Sequence, residues 1–170
     1  IISAIIYVFG PISGAHINPA ITISLTLGKQ FQVKKASFYI LAQISGAFLA
    51  SLLLSIIFPE SKTLGVTLPK DGILQSIVIE LILTFFLTLT ILGVTSRKEF
   101  TNISGLLIGL VVTGIILFAG PISGGSFNPA RSIAPAIVSG NIDSLWIYIL
   151  SPILGAVLAI LFWKFISKNK

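Results

Sequence analysis

Two triplets, Asn18-Pro19-Ala20 and Asn128-Pro129-Ala130, are the residues of this sequence best placed to do chemistry. Pro is well tolerated in the first turn of a helix, where its missing N–H has no partner to lose. Asn just before it can cap the same helix with its side-chain oxygen. The amide NH2 then stays available as a donor. Each helix N-terminus also carries roughly +0.5 elementary charge. If two such ends meet, a water can give its oxygen to both amides, which breaks donor alignment along a water file. A cation meets two positive ends. At an effective dielectric of about 20 and a distance of about 5 Å, each end costs it roughly 1.7 kcal/mol, or about 3 kcal/mol for the pair.

Three other residues could take part. Arg131 directly follows the second triplet, while Ile21 fills the matching place in the first. One turn from Asn128, Arg131 either faces a cavity or snorkels to an interface. Glu80 is the one acid inside a long apolar run. It reads either as a proton carrier or as an acceptor for loop N–H groups. His16 reads either as a pH sensor or as a hydrogen-bonded loop histidine. Enzyme chemistry has no support. There is no Cys, a single His, and no pair of carboxylates converging on a cavity. Disulfides and zinc-thiolate sites are excluded with the cysteines, and no cofactor or metal is called for.

The elements that position these residues are apolar. Charged residues make up 9% of the chain and hydrophobic ones 55%, with a mean hydropathy of +1.05. A soluble domain carries about a quarter charged residues, so the solvent is lipid. Segments 36–58, 73–94, 103–119 and 145–166 are long enough to span a bilayer, the third at the short limit. Residues 1–9 read as the stub of another span. A helix of nine residues reaches roughly 14 Å, about half a hydrocarbon core. With no Met and no basic leader, the expectation is a chain that begins inside a membrane helix, with an earlier helix missing. Two further apolar stretches, 17–27 and 127–138, are too short to span. Each follows a Gly/Pro/Ser turn and starts at a triplet. Short, interrupted apolar segments in matching places point to re-entrant elements at a membrane site.

An internal repeat ties the two together. Residues 10–20 recur as 120–130, 110 positions later, with eight of eleven residues identical. Residues 39–50 and 148–159 agree at eight of twelve positions. Three full spans lie between the triplets. An odd number puts them on opposite faces and makes the halves inverted repeats about an axis in the membrane plane. The expected organisation is one channel domain over 1–170, with an incomplete first repeat at 1–58 and a second at about 73–167.

The formal net charge of +6 follows the same topology. Lys29, Lys34, Lys35, Arg97, Lys98, Lys164, Lys168 and Lys170 fall at one face, and only Lys62 and Lys70 at the other. The richer face should be cytoplasmic. This is a topology signal, not a nucleic-acid patch. Gly46 with Ala50, Gly105 with Gly109, and Gly155 with Ala159 are small residues four apart that permit close helix contact.

The paired Ser-Gly-x-x-x-Asn-Pro-Ala blocks, with Arg131 after the second, resemble the major intrinsic protein family, the aquaporins and glycerol facilitators. The resemblance covers nearly the whole chain. It implies an all-α membrane protein, a right-handed helical bundle of inverted repeats with two re-entrant half-helices. On that template the first helix and part of the second are missing here. It further implies a homotetramer in the plasma membrane, with a cytoplasmic C-terminus, passing water and small neutral solutes. Glu80 sits in a Glu-x-x-x-Thr-Phe context similar to the family's fourth helix, where the acid braces a re-entrant loop. Arg131, Ile116 and Gly125 match three of the family's four filter positions. The fourth falls twenty residues before Asn18, ahead of residue 1. Ser132, Ala136 and Tyr148 resemble the water-channel branch, while Ile149 departs from its usual Trp. Ile116 with Gly125 and Arg131 resembles the plant nodulin-like branch and its microbial relatives. That branch implies a wider, less polar filter, open to glycerol, urea or metalloid acids such as boric and arsenous acid. A proton-coupled transporter using Glu80, and a junction protein with a closed pore, are the alternatives.

Overall fold

The computed structural model describes residues 1–168, so Lys170 lies outside the described residues. Those residues form seven α-helices: α1 (Ile2–Ser13), α2 (Pro19–Leu27), α3 (Val33–Ile57), α4 (Ile73–Thr95), α5 (Ser104–Ser123), α6 (Pro129–Ser139) and α7 (Leu145–Ser167). A 3-10 turn over Lys98–Phe100 links α4 to α5. Four helices, α3, α4, α5 and α7, are long and apolar enough to cross a membrane.

Helix ends depart from the sequence reading in one respect. The Gly-Pro pairs were expected to open the turns, yet α1 and α5 run through Pro11 and Pro121. The termini lie instead at Gly14 and Gly124, in left-handed conformation with φ of 73° and 82°. Proline's fixed φ is itself helical, so in a last turn it removes one hydrogen bond without breaking the helix. Glycine reverses the chain because positive φ costs it nothing. Carried on to Ser123, α5 has 20 residues, about 30 Å, and spans comfortably.

The packing follows the repeat. The largest interface joins α4 to α7; α5 packs on α4, and α1 on α5. The half-helices lie inside, α2 between α7 and α3, and α6 against both α3 and α7. Small residues set these distances. A Cβ added at Gly155 would meet the Leu81 carbonyl oxygen and Phe85 N; one at Gly105 would press Tyr7 and Ile6 at 3.1–3.2 Å. One apolar core gathers Leu87, Val94, Ile108, Ala119 and Phe127, and a second gathers Ile21, Leu25, Leu92 and Ile160. Large apolar side chains such as Phe38, Leu49, Leu117 and Phe165 point outward, the exterior that lipid rather than water solvates.

One lysine of each basic set bonds a carbonyl near a helix end. Lys164 Nζ donates to the Leu27 carbonyl at the end of α2. Lys70 Nζ donates to the Gly120 carbonyl near the end of α5.

Candidate functional site: a cavity crossed by two half-helix ends

Each half-helix is started by its own Asn. Asn18 and Asn128 are extended, with φ of −146° and −154°, and their side-chain oxygens accept from Ala20 N at 2.9 Å and Ala130 N at 3.1 Å. Pro19 and Pro129 are buried in the first turns, beside Ala20 and Ala130. The sequence alone determines this much, because cap and proline are neighbours in the chain.

The amide nitrogens do something sequence did not anticipate. They were expected to be free donors. Instead Asn18 Nδ2 donates to the Phe127 carbonyl at 2.6 Å, and Asn128 Nδ2 donates to the Ile17 carbonyl at 2.9 Å. Phe127 and Ile17 occupy the same repeat position, so the two bonds form a reciprocal clasp between the loops. Each NH2 has two hydrogens; one is spent on the clasp and one remains. Both asparagines line a cavity of about 410 Å³.

That cavity brings together most of the predicted residues. Ile116, Gly125, Arg131 and His16 line it with Asn18 and Asn128. Gly125 has a φ of 61°, and a Cβ there would lie 3.6 Å from the Ile116 Cα. Arg131 Nη1 donates to the Gly65 carbonyl at 2.5 Å, so its guanidinium is fixed by the loop between α3 and α4. The same loop reaches α6 again, where Thr67 Oγ1 bonds Ser132 Oγ at 2.7 Å. Ser132 Oγ also meets Ser126 Oγ at 2.5 Å, and Ser126 Oγ donates to the Asn128 carbonyl. Gly65, Thr67 and Ser126 were missed by sequence reasoning. Their loop has no periodicity, and their partners lie 65 or 66 residues away or in the turn itself.

Glu80 does not line this cavity. It is wholly buried on α4, and both carboxylate oxygens are engaged. Oε1 accepts from Ser123 Oγ and Ser126 N at 2.8 Å, and Oε2 accepts from Phe127 N at 2.7 Å. Three donors aimed at one carboxylate compensate a charge taken out of water. The acid thereby fixes the loop that carries Asn128.

His16 is held differently from the hydrogen-bonded loop histidine expected. Its ring packs on Phe31 at 4.7 Å and on Tyr39 at 5.6 Å between centroids. Its Nδ1 has no hydrogen-bond partner among the described residues. Aromatic contact, rather than side-chain hydrogen bonding, orients the ring, while Gln43 Nε2 holds the backbone through the His16 carbonyl.

Comparison with known proteins agrees with this architecture. Residues 1–163 match the profile of the family described as MIP, major intrinsic protein. Aquaporin NIP1-1 of Zea mays is 42% identical over 158 residues, which cover 92% of this chain and 56% of that protein. Aquaporin NIP1-2 of Arabidopsis thaliana is 40% identical over 165 residues, with the same coverage of 92% and 56%. The chain therefore spans little more than half the length of the curated relatives it matches. The X-ray structure of the aquaglyceroporin from Plasmodium falciparum superposes with a TM-score of 0.83 at 26% identity, covering 93% of this chain and 75% of that one. With a profile match over almost its whole length and a shared all-helical architecture, this chain belongs to the major intrinsic protein family, a family of multi-pass membrane channels.

Proposed function

We propose that this protein is a passive channel for water and small uncharged solutes that excludes protons and ions. The reading rests above all on the Asn18–Asn128 clasp, which presents two positive half-helix ends and two spare amide hydrogens to one cavity. A neutral oxygen accepts from these donors, while a cation is repelled by both ends and by Arg131. Asn18, Pro19, Ala20, Asn128, Pro129 and Ala130 form the waist, and Ile116, Gly125 and Arg131 the solute filter. His16 contributes to the wall, and Glu80 acts as the brace. The basic set that includes Lys29 and Lys164 marks the cytoplasmic face, with the C-terminus on that side. A homotetramer in the plasma membrane is the assembly we assign.

An aliphatic side chain at 116 opposite a bare Gly125 makes a wide, weakly polar filter. The likeness to an aquaglyceroporin supports solutes beyond water, and we assign glycerol, urea or metalloid acids to this pore. Stopped-flow light scattering on proteoliposomes of the protein tests it. Water flux together with glycerol, urea or boric acid flux, linear in the gradient, is expected. Water flux alone would refute the wide filter. Saturating flux that depends on a proton gradient would favour a Glu80 transporter, although that acid has both oxygens bonded to donors at the end of α5 and in the loop after it, and lies off the cavity wall. A total absence of flux would favour a junction role.

A further inference from the structure

The 110-residue offset that matches Asn18 to Asn128 also gives every filter position a counterpart in the other half. Ile116 corresponds to Ile6, Gly125 to Ala15, and Arg131 to Ile21. The remaining filter position, 20 residues before Asn18, corresponds to Ile108, 20 residues before Asn128. Ile6, Ala15, Ile21 and Ile108 all line the cavity that Ile116, Gly125 and Arg131 line. The half-helices meet at their N-termini and run apart, so Ile21 stands one turn from the clasp on one side and Arg131 one turn away on the other. The cavity thus holds two constellations built on one plan, the first with a fixed charge and the second with only aliphatic carbon.

This second constellation is well supported. Ile21 and Ile108 are 5% and 7% exposed, and Ile6 packs against the core that contains Ile108. Gly105 and Gly109 leave room for α5 to lie directly against Ser3, Ile6 and Tyr7 of α1. The cavity wall also holds Leu25, Leu87 and Ile91, with His16 and Gln30 among its polar members, and Val112 lies between Ile108 and Ile116 on α5. None of these side chains can replace a lost hydration shell. An ion crossing such a ring must shed water and gains nothing in return, whereas a small neutral molecule loses few hydrogen bonds. Aliphatic constrictions of this kind act as barriers by excluding water from around charge.

We propose that Ile6, Ile21 and Ile108 form a second selectivity constriction on the cytoplasmic side of the clasp, one that rejects ions without any charge and independently of Arg131. The proposal rests on the channel reading above, and the test separates the two. Cation uptake and water flux are measured in parallel on proteoliposomes of wild type, of Arg131→Gln, and of Arg131→Gln combined with Ile21→Ser and Ile108→Thr, with potassium as the probe ion. The expected result is potassium uptake, taken relative to the water flux each variant carries, raised tenfold or more only in the combined variant. Where the combined variant fails to carry water, the smaller change of Ile108→Thr alone in the Arg131→Gln background decides by the same readout. Potassium uptake already maximal in Arg131→Gln, or unchanged by the isoleucine substitutions, overturns the second constriction and leaves the channel standing. A wild type that carries neither water nor solute overturns both.

Discussion

Helices α3 and α7 carry the same sequence pattern yet live in different surroundings. Tyr39 and Tyr148 open matching segments, and each donates its hydroxyl to the carbonyl of an equivalent serine, Ser13 at 3.0 Å and Ser123 at 2.7 Å. Beyond that bond they diverge. α7 buries Ile147, Tyr148, Ser151, Pro152, Gly155, Ala156, Ala159 and Ile160, whereas α3 buries only Ala36 and Ser51. The cause is α4, which presses its backbone into the groove at Gly155. At the matching Gly46 an added Cβ would find nothing within 4 Å. Both helices are apolar enough to span, but α3 packs only on the half-helices, and the stretch that would match α4 in the first repeat falls ahead of residue 1. In a bilayer apolarity does not bring helices together, because lipid is as good a neighbour as leucine; close contact at small residues does. The loops differ likewise, the position matching Glu80 also falling ahead of residue 1. Glu80 on α4 accepts from Ser126 N and Phe127 N in one repeat, and among the described residues no acid stands beside His16 and Ile17 in the other. There Gln43 bonds the His16 carbonyl and Thr22 Oγ1 instead.

Substitutions can break or sharpen that comparison. The largest effect is expected from Glu80→Ala, which leaves two backbone N–H groups and a hydroxyl unpaired in the interior. At roughly 1–3 kcal/mol for each buried group left unsatisfied, the loss is at least about 3 kcal/mol. Thermal unfolding in detergent should show a sharply lower midpoint, with Glu80→Gln between the two because its amide keeps one acceptor. A midpoint unchanged in Glu80→Ala would remove the brace from the account. Next in size is the glycine pair. Gly155→Ala drives a methyl into the Leu81 carbonyl and should cost about 1–3 kcal/mol, while Gly46→Ala should stay within about 0.5 kcal/mol. Equal shifts at the two sites would mean that α4 is not what distinguishes the helices. The smallest difference should come from the tyrosines. Tyr148→Phe loses a fully buried hydrogen bond and should cost about 1–1.5 kcal/mol, and Tyr39→Phe, partly exposed, about half of that. A larger loss at Tyr39 would reverse the ranking.

Much of this architecture is legible in the sequence because its signals are local or repeated. Asn-Pro fixes the start of each half-helix within two residues, and the 110-residue offset pairs the halves without any structure. The spans are visible from length alone. What sequence does not carry is the set of bonds between residues far apart in the chain. The clasp joins positions 109 and 111 residues apart, and Arg131 is held by a carbonyl at Gly65, which any residue could supply. Backbone acceptors leave no trace in side-chain identity. The Gly-Pro pairs misled for a related reason. Proline's effect depends on where in a turn it falls, and the glycine that ends the helix is recognisable only from its positive φ.

The clasp at the waist has a mechanical consequence. Each loop is stitched to the other through a side chain that also starts its own half-helix, so neither can retreat without uncapping itself and stranding a carbonyl. The clasped ends are therefore a stiff part of the cavity wall. On the channel reading, a valve would act away from the clasp, at the loops that join the long helices.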